Sequence, residues 1–366
     1  MRVYMIGQKG IPALSGGVER HVDELAIRLA ERGHSVYVYC RAGYSKGKSV
    51  TLYKGVNLIY LPTIYSKHLE AIVHTFLASV HVLFRKADVV HYHAIGPSSL
   101  LWIPRIFKPT AKVIATFHCQ DYKHQKWGLL ARAYLHLGEW MLCRLAHRII
   151  AVSKTIQQYV RGTYGRESDY IPNGVPDFKK ITAGSELAKW NLRPNEYFVA
   201  VSRFVQHKGL HYLIDAYRQL KTDKKLVLVG DASYTDSYKQ LLLDKAAGDS
   251  NIIFTGSLSG DHLLEVFQNA YVFVQPSEAE GLSVALLEAM KMGKCSVISN
   301  IPENLEVVGD EGVSFESKNV ADLAAKLQYV LDYPQVVAQK ATASYTIAAK
   351  DYNWENIVSS IESLYA

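Results

Sequence analysis

The first forty residues fix the fold class. Residues 1–6 are an apolar run and residues 7–17 (GQKGIPALSGG) a glycine-rich loop. Residues 18–32 carry Val22, Leu25, Ala26 and Leu29 on one helical face, Gly33 ends that helix, and residues 35–40 (SVYVYC) are a second apolar run. Apolar runs without polar alternation read as strands covered on both faces. Strand, helix and strand in that order close with parallel strands and a right-handed crossover, the unit of a doubly wound sheet.

The unit is extended and then begun again. Further strands are expected at 56–61, 88–93, 112–118, 148–153 and 169–171, with helices at 70–84 and 129–146 between them. The alternation restarts with strands at 197–202, 225–229, 252–254, 271–275 and 296–299 and helices at 210–220, 238–247, 261–268 and 283–292. The expected class is α/β, with two doubly wound Rossmann-like domains facing across a cleft formed by the carboxyl ends of both sheets. The domains are residues 1–172 and 197–350, joined by a linker at 173–196 that opens on PNGVP. Residues 351–366 are a helical tail with Trp354, Ile357, Val358, Ile361 and Leu364 on its apolar face.

At 366 residues, 49% apolar and 20% charged, the chain is long enough for two cores and has the balance of a globular protein. Cys40, Cys119, Cys143 and Cys295 are scattered without Cys-x-x-Cys spacing. That argues against a disulfide framework or a cysteine zinc site and for a reducing, cytoplasmic compartment. The opening MRVYMIG enters a strand directly, so no signal peptide is expected, and no apolar run approaches the roughly 18 residues of a spanning helix. Charge is uneven: residues 1–170 hold 23 Lys and Arg against 10 Asp and Glu, while residues 171–366 hold 18 against 24. A basic half attracts anionic partners. With LLWIPRIF at 100–107 beside Lys108 and Lys112, it leads to the expectation of a peripheral position on the anionic inner face of the membrane.

The chemistry concentrates in residues 276–290, PSEAEGLSVALLEAM. They follow an apolar strand and run into a helix. Amides at a helix start carry partial positive charge and seat a phosphate, here Leu282, Ser283 and Val284. Glu280 and Glu288 flank that seat and offer acceptors for hydroxyls, an arrangement that fits a nucleotide sugar. Arg203 and Lys208, in SRFVQHKG after another strand, are placed to neutralise a leaving diphosphate. Gly16 and Gly17, after Ser15, let backbone approach a ligand before a helix. His118 ends a strand, where it can donate to a sugar hydroxyl. His91 and His93 (VVHYH) are spaced like metal ligands, but with no carboxylate or cysteine to complete a site they read as packing or acceptor-side residues.

Together GGVERH at 16–21, the strand end at His118, IPNGV at 171–175, SRFVQHKG and PSEAEGLSVALLEAM resemble the retaining glycosyltransferases of family 4, which have the two-domain GT-B fold. The likeness spans essentially the whole chain, and IGQKGIP is similar to a bacterial polysaccharide-assembly branch. The resemblance implies that Glu280 and Gly281 hold the donor sugar, with Glu280 and His118 as catalytic residues and His118 also contacting the sugar. It implies that Glu288 binds the ribose, and that Arg203, Lys208, Gly16, Gly17, Leu282 and Ser283 bind the diphosphate. It further implies transfer to a glycan or lipid-linked acceptor without metal or cofactor, and a closing helix that crosses back to the first domain. Ser283 stands where many members have glycine, and Pro176 where many have an acid.

Other readings separate from this one by simple features. A nicotinamide dehydrogenase lacks its glycine spacing here, and the second strand ends in Cys40-Arg41 rather than an acid. An epimerase or hydrolase of the same architecture would form product from donor alone. A non-catalytic nucleotide-sugar binding protein would be expected to have lost Arg203, Lys208 or Glu280. No motif supports nucleic-acid binding.

Overall fold

In a computed structural model, which describes residues 1–14, 16–44, 50–64, 66, 69–123, 127–232 and 235–366, the strands fall into two sheets. The first contains β1 (Arg2–Ile6), β2 (Ser35–Arg41), β3 (Leu52–Tyr53), β4 (Val56–Leu61), β5 (Val89–His93), β6 (Lys112–Phe117), β7 (Arg148–Ala151) and β8 (Asp169–Tyr170), in the order β3-β4-β2-β1-β5-β6-β7-β8. Its strands pair in parallel except at β3–β4. The second contains β9 (Tyr197–Val201), β10 (Lys225–Val229), β11 (Ile252–Gly256), β12 (Val272–Gln275), β13 (Cys295–Ser299) and β14 (Val313–Phe315), in the all-parallel order β11-β10-β9-β12-β13-β14.

Each sheet is begun in its middle, wound outward one way and then resumed on the other side. The winding reverses between β1 and β5 in one sheet and between β9 and β12 in the other. Beyond the carboxyl ends of two such strands the flanking connections diverge and leave a crevice. The composition of the strands explains their placement. All five residues of β5, all five of β13 and all four of β12 are buried, as helices on both faces require.

The chain divides into two compact units, Met1–Gly174 with Trp354–Ala366, and Val175–Asn353. The closing helix Trp354–Tyr365 places Trp354, Ile357, Val358, Ile361 and Tyr365 in the same core as Val22, Leu25 and Leu29. Arg32 fixes its outer side, bonding Glu355 at 2.8 Å and Glu362 at 3.0 Å. Gly174 lies against the Trp354 indole, where an added Cβ would come within 2.5 Å of the ring.

The segment 173–196, read from sequence as a linker, is more structured than that reading implies. From Val175 onward it belongs to the second unit. Helix Ser185–Lys189 is tied down by Glu265, whose Oε1 accepts from the amides of Gly184 at 2.8 Å and Leu187 at 2.9 Å. The 100–107 patch is also corrected. Leu101 and Ile103 are core residues, and only Ile106 and Phe107 of its last turn stand well exposed. Among the described residues, no helix is long and apolar enough to cross a membrane.

Candidate functional site

In the second unit, the two loops that carry the sequence candidates leave β9 and β12, the strands on either side of the reversal. They touch through their backbones. Gly209 adopts φ +67°, and a Cβ there would lie 2.0 Å from the carbonyl oxygen of Pro276. The Glu278 amide donates to the His207 carbonyl at 2.7 Å. This contact sets Lys208 beside Glu280: Nζ lies 2.5 Å from Oε1, with the two side chains 17% and 8% exposed. Ser277 Oγ donates to the same Oε1 at 2.6 Å.

The helix Val284–Lys291 begins under a Ser283 cap. Ser283 Oγ accepts from the Leu286 amide at 3.3 Å and donates to Gln275 Oε1 at 2.6 Å. Gln275 Nε2 donates to Asn304 Oδ1 at 2.6 Å, and Asn304 Nδ2 to Ser299 Oγ at 3.0 Å. Ser299 Oγ closes the chain on the Ser277 carbonyl at 2.5 Å. The hydroxyl, amide and backbone groups of five residues thus hold both ends of the Glu280 loop, a satisfied network that fixes one geometry. Leu282 and Glu288 are buried on this frame and Gly281 is half-buried. The two expected phosphate cations are not equivalent: Lys208 is ion-paired, whereas Arg203 is exposed.

In the first unit, Gly16 caps the helix Gly17–Glu31 at φ +98°. A Cβ on Gly16 would sit 2.2 Å from Glu19 Oε2, and Glu19 Oε1 accepts from the Lys9 amide at 3.2 Å. The glycine therefore makes room for a carboxylate that folds back over its own helix start. Ser15 lies outside the described residues. His118 follows β6 and is buried. Its Nε2 lies 3.3 Å from His93 Nδ1, and its ring meets His21 edge-on at 4.9 Å. Among the described residues, the ring nitrogens of His21, His93 and His118 gather within 4.8 Å of one another, a buried imidazole cluster. Burial pushes His21 down to about 4, and burial with neighbouring imidazoles holds His93 and His118 well below 6.5. His91 is satisfied by Tyr365 at 2.9 Å and Thr116 at 2.7 Å, which makes it a packing residue.

Two family models divide the chain between them. One, described as Glycosyltransferase Family 4, matches residues 15–177, and the other, described as Glycosyl transferases group 1, matches residues 186–362. The chain belongs to the family 4 glycosyltransferases. A glycogen synthase of Mycobacterium tuberculosis is 26% identical across the whole chain and 94% of its own length. Among solved structures, a sucrose-phosphate synthase from Thermosynechococcus elongatus superposes with a TM-score of 0.85 at 21% identity, covering 100% of this chain and 98% of that one. Anabaena HepE, solved with UDP and glucose, gives 0.81 at 18% identity, covering 100% and 99%. These likenesses establish the GT-B fold.

Sequence reasoning missed the parts of this family 4 glycosyltransferase that act through partners. Ser277 and Gln275 sit at a strand end, but nothing local marks the bonds they make. His21 carried a signal: it lies four and eight residues before Leu25 and Leu29, on the same inward stripe. The loop contact gives a direct prediction. Gly209→Ala is expected to destabilise the second unit by about 1–3 kcal/mol, because it combines a left-handed backbone with a clash. It should also weaken nucleotide binding by parting Lys208 from Glu280. Urea titration and calorimetry on the variant measure both effects.

Proposed function

We propose that this glycosyltransferase moves a sugar from a nucleotide-diphosphate donor to a glycan or lipid-linked acceptor, with retention at the anomeric carbon and without a metal ion. The observation that carries the reading is the Lys208–Glu280 pair, held beside a capped helix start at the reversal point of the second sheet. As the bond from sugar C1 to the diphosphate oxygen breaks, negative charge gathers on the departing phosphate. Cations and amides already aimed there stabilise that charge without reorganising. In this reading Lys208 exchanges its carboxylate partner for the phosphate, joined by Arg203 and the amides of Leu282 and Ser283. Glu280, released, accepts from the donor sugar's hydroxyls near Gly281. Glu288 takes the ribose hydroxyls.

The acceptor oxygen bonds C1 on the face the diphosphate leaves, and its proton passes to the leaving phosphate oxygen. His118, a neutral imidazole, has one N–H to give and one lone pair to receive, which suits contact with a sugar hydroxyl. The Gly16–Gly17 turn is assigned to the phosphates by resemblance.

The fold neighbour HepE, solved with UDP and glucose, is consistent with such a donor. Thermal-shift titration with UDP, GDP, ADP and dTDP tests the reading and selects the base. Binding to the native state alone adds about 2.7 kcal/mol when ligand is at 100 times Kd. One of the four is expected to raise the melting temperature by several degrees, and four null results would overturn the donor assignment. Release of free sugar or of an epimer from donor alone, with no acceptor dependence, would replace transfer with hydrolysis or epimerisation.

A further inference from the structure

We propose that the outer face of the helix Leu129–Leu145, continued by the last turn of Trp102–Phe107 and by Phe84, is a wedge that inserts into an anionic lipid surface. The exposed positions of Leu129–Leu145 are Leu129, Leu130, Ala133, His136, Leu137, Trp140 and Arg144. At 100° per residue they span an arc of roughly 120°. That arc holds leucines, alanine and tryptophan with one histidine and one arginine, and no acid. The helix has a single acidic residue, Glu139, and it is turned fully inward, where it accepts from the hydroxyls of Tyr159 and Tyr164 at 2.7 Å.

The exposure is large for side chains of this kind. Leu129 and Leu130 are 85% and 89% exposed, and Phe84, Ile106 and Phe107 are 82%, 61% and 64% exposed. Two cations tie these pieces together. Arg105 Nε donates to the Leu145 carbonyl at 3.1 Å, and Lys108 Nζ to the Leu83 carbonyl at 3.2 Å. Phe84, Ile106 and Phe107 are therefore fixed close to the carboxyl end of the helix, with exposed Arg85 and Lys86 beside them.

The occupant follows from charge. A second protein would meet a stripe with no acid to pair and a rim of cations. A bilayer with anionic headgroups satisfies both: the apolar arc enters the acyl boundary, and the Arg and Lys rim stays at headgroup level. Trp140, with its amphipathic ring, suits that depth. The excess of 13 cations over acids in residues 1–170 supplies the long-range attraction. The inference rests on the lipid-linked reading of the acceptor, and its test does not depend on turnover.

Co-sedimentation of the full chain with vesicles of phosphatidylcholine, with and without 30% phosphatidylglycerol, is the experiment. Binding is expected to require the anionic lipid and to fall at least 10-fold between 0.1 and 0.5 M salt. Leu137→Glu with Trp140→Glu should lower the partition coefficient at least 10-fold while the nucleotide-induced thermal shift stays unchanged. Phe84→Ser with Phe107→Ser is the second variant, on a different segment. Absence of vesicle binding, or binding that both double variants retain, would overturn the proposal. So would a wild-type dimer that becomes monomeric in the variants without any lipid binding, since the face would then be a contact between copies.

Discussion

Glu280→Gln is expected to lower turnover by at least 100-fold, about 2.7 kcal/mol of transition-state stabilisation, while the nucleoside diphosphate binds as well or more tightly. The geometry gives both halves of this result. The substituted amide would be nearly isosteric with the carboxylate and could still accept from Ser277 Oγ, so the loop keeps its frame. The charge is lost, and with it the partner that neutralises Lys208 at 2.5 Å. An unopposed ammonium in a mostly buried position gains more from an incoming phosphate than one already paired. Lys208→Ala should act in the opposite sense on binding, weakening the diphosphate at least 10-fold. It also strands Glu280, which has 8% exposure, so its thermal stability should fall as well. Calorimetric titration with the nucleotide chosen by thermal shift, alongside steady-state kinetics, separates the two. A Glu280→Gln variant that loses nucleotide binding and keeps its kcat would mean the roles are reversed.

The pair also shows where sequence reading stops. The strands that build the site were legible because strands buried on both faces are mostly apolar, and in these five the charged and amide side chains fall at the strand ends. The runs at β1, β2, β9, β10 and β12 therefore announced themselves. The loops were legible because strand, glycine-bearing turn and helix with fixed polar residues form a local pattern. What could not be read is the coupling between loops. Lys208 and Glu280 are 72 positions apart, and they meet because Gly209 admits the Pro276 carbonyl. Nothing within either loop states that contact.

The same reason hides the chain from Ser283 through Gln275, Asn304 and Ser299 to Ser277, which draws on two strands and two helices. Helices Val320–Asp332 and Pro334–Asp351 and strand β14 were missed for a different cause. The strand has three residues, and Pro334–Asp351 buries few of its eighteen, so its stripe is faint. The 100–107 segment misled in the opposite way. It reads as one apolar patch, yet Leu101 and Ile103 face inward while Ile106 and Phe107 face out. Composition alone cannot divide a helical turn into its two faces.

The first unit is expected to lose stability steeply as pH falls from 6.5 toward 4, while the second loses little. Among the described residues, five of its histidines are buried. Burial, the largest cause in each case, pushes His21 and His74 down to about 4 and His91 to about 3, and holds His93 and His118 well below 6.5. Above pH 6.5 these rings are neutral in both folded and unfolded chain, so they cost nothing. Below it the unfolded chain takes up protons that the folded chain refuses, and stability falls until the folded values are reached. For a single ring the loss between pH 6.5 and 5 is about 2 kcal/mol. A domain's whole stability is about 5–15 kcal/mol, so several such rings in one core are enough to unfold it. In the second unit His211 is pushed down by partial burial, and among the described residues that unit has no buried histidine cluster. Hydrogen exchange in urea at pH 7.5 and 5.0 resolves the two units. Protection in β1, β5 and β6 should collapse at the lower pH well before that in β9, β10 and β12. His21→Gln, which removes one refused proton, should flatten the pH dependence of the first unit even if it lowers stability at pH 7.5. Equal pH slopes in both units would show that the imidazoles gain solvent or partners on protonation, and the neutral cluster would have to be abandoned.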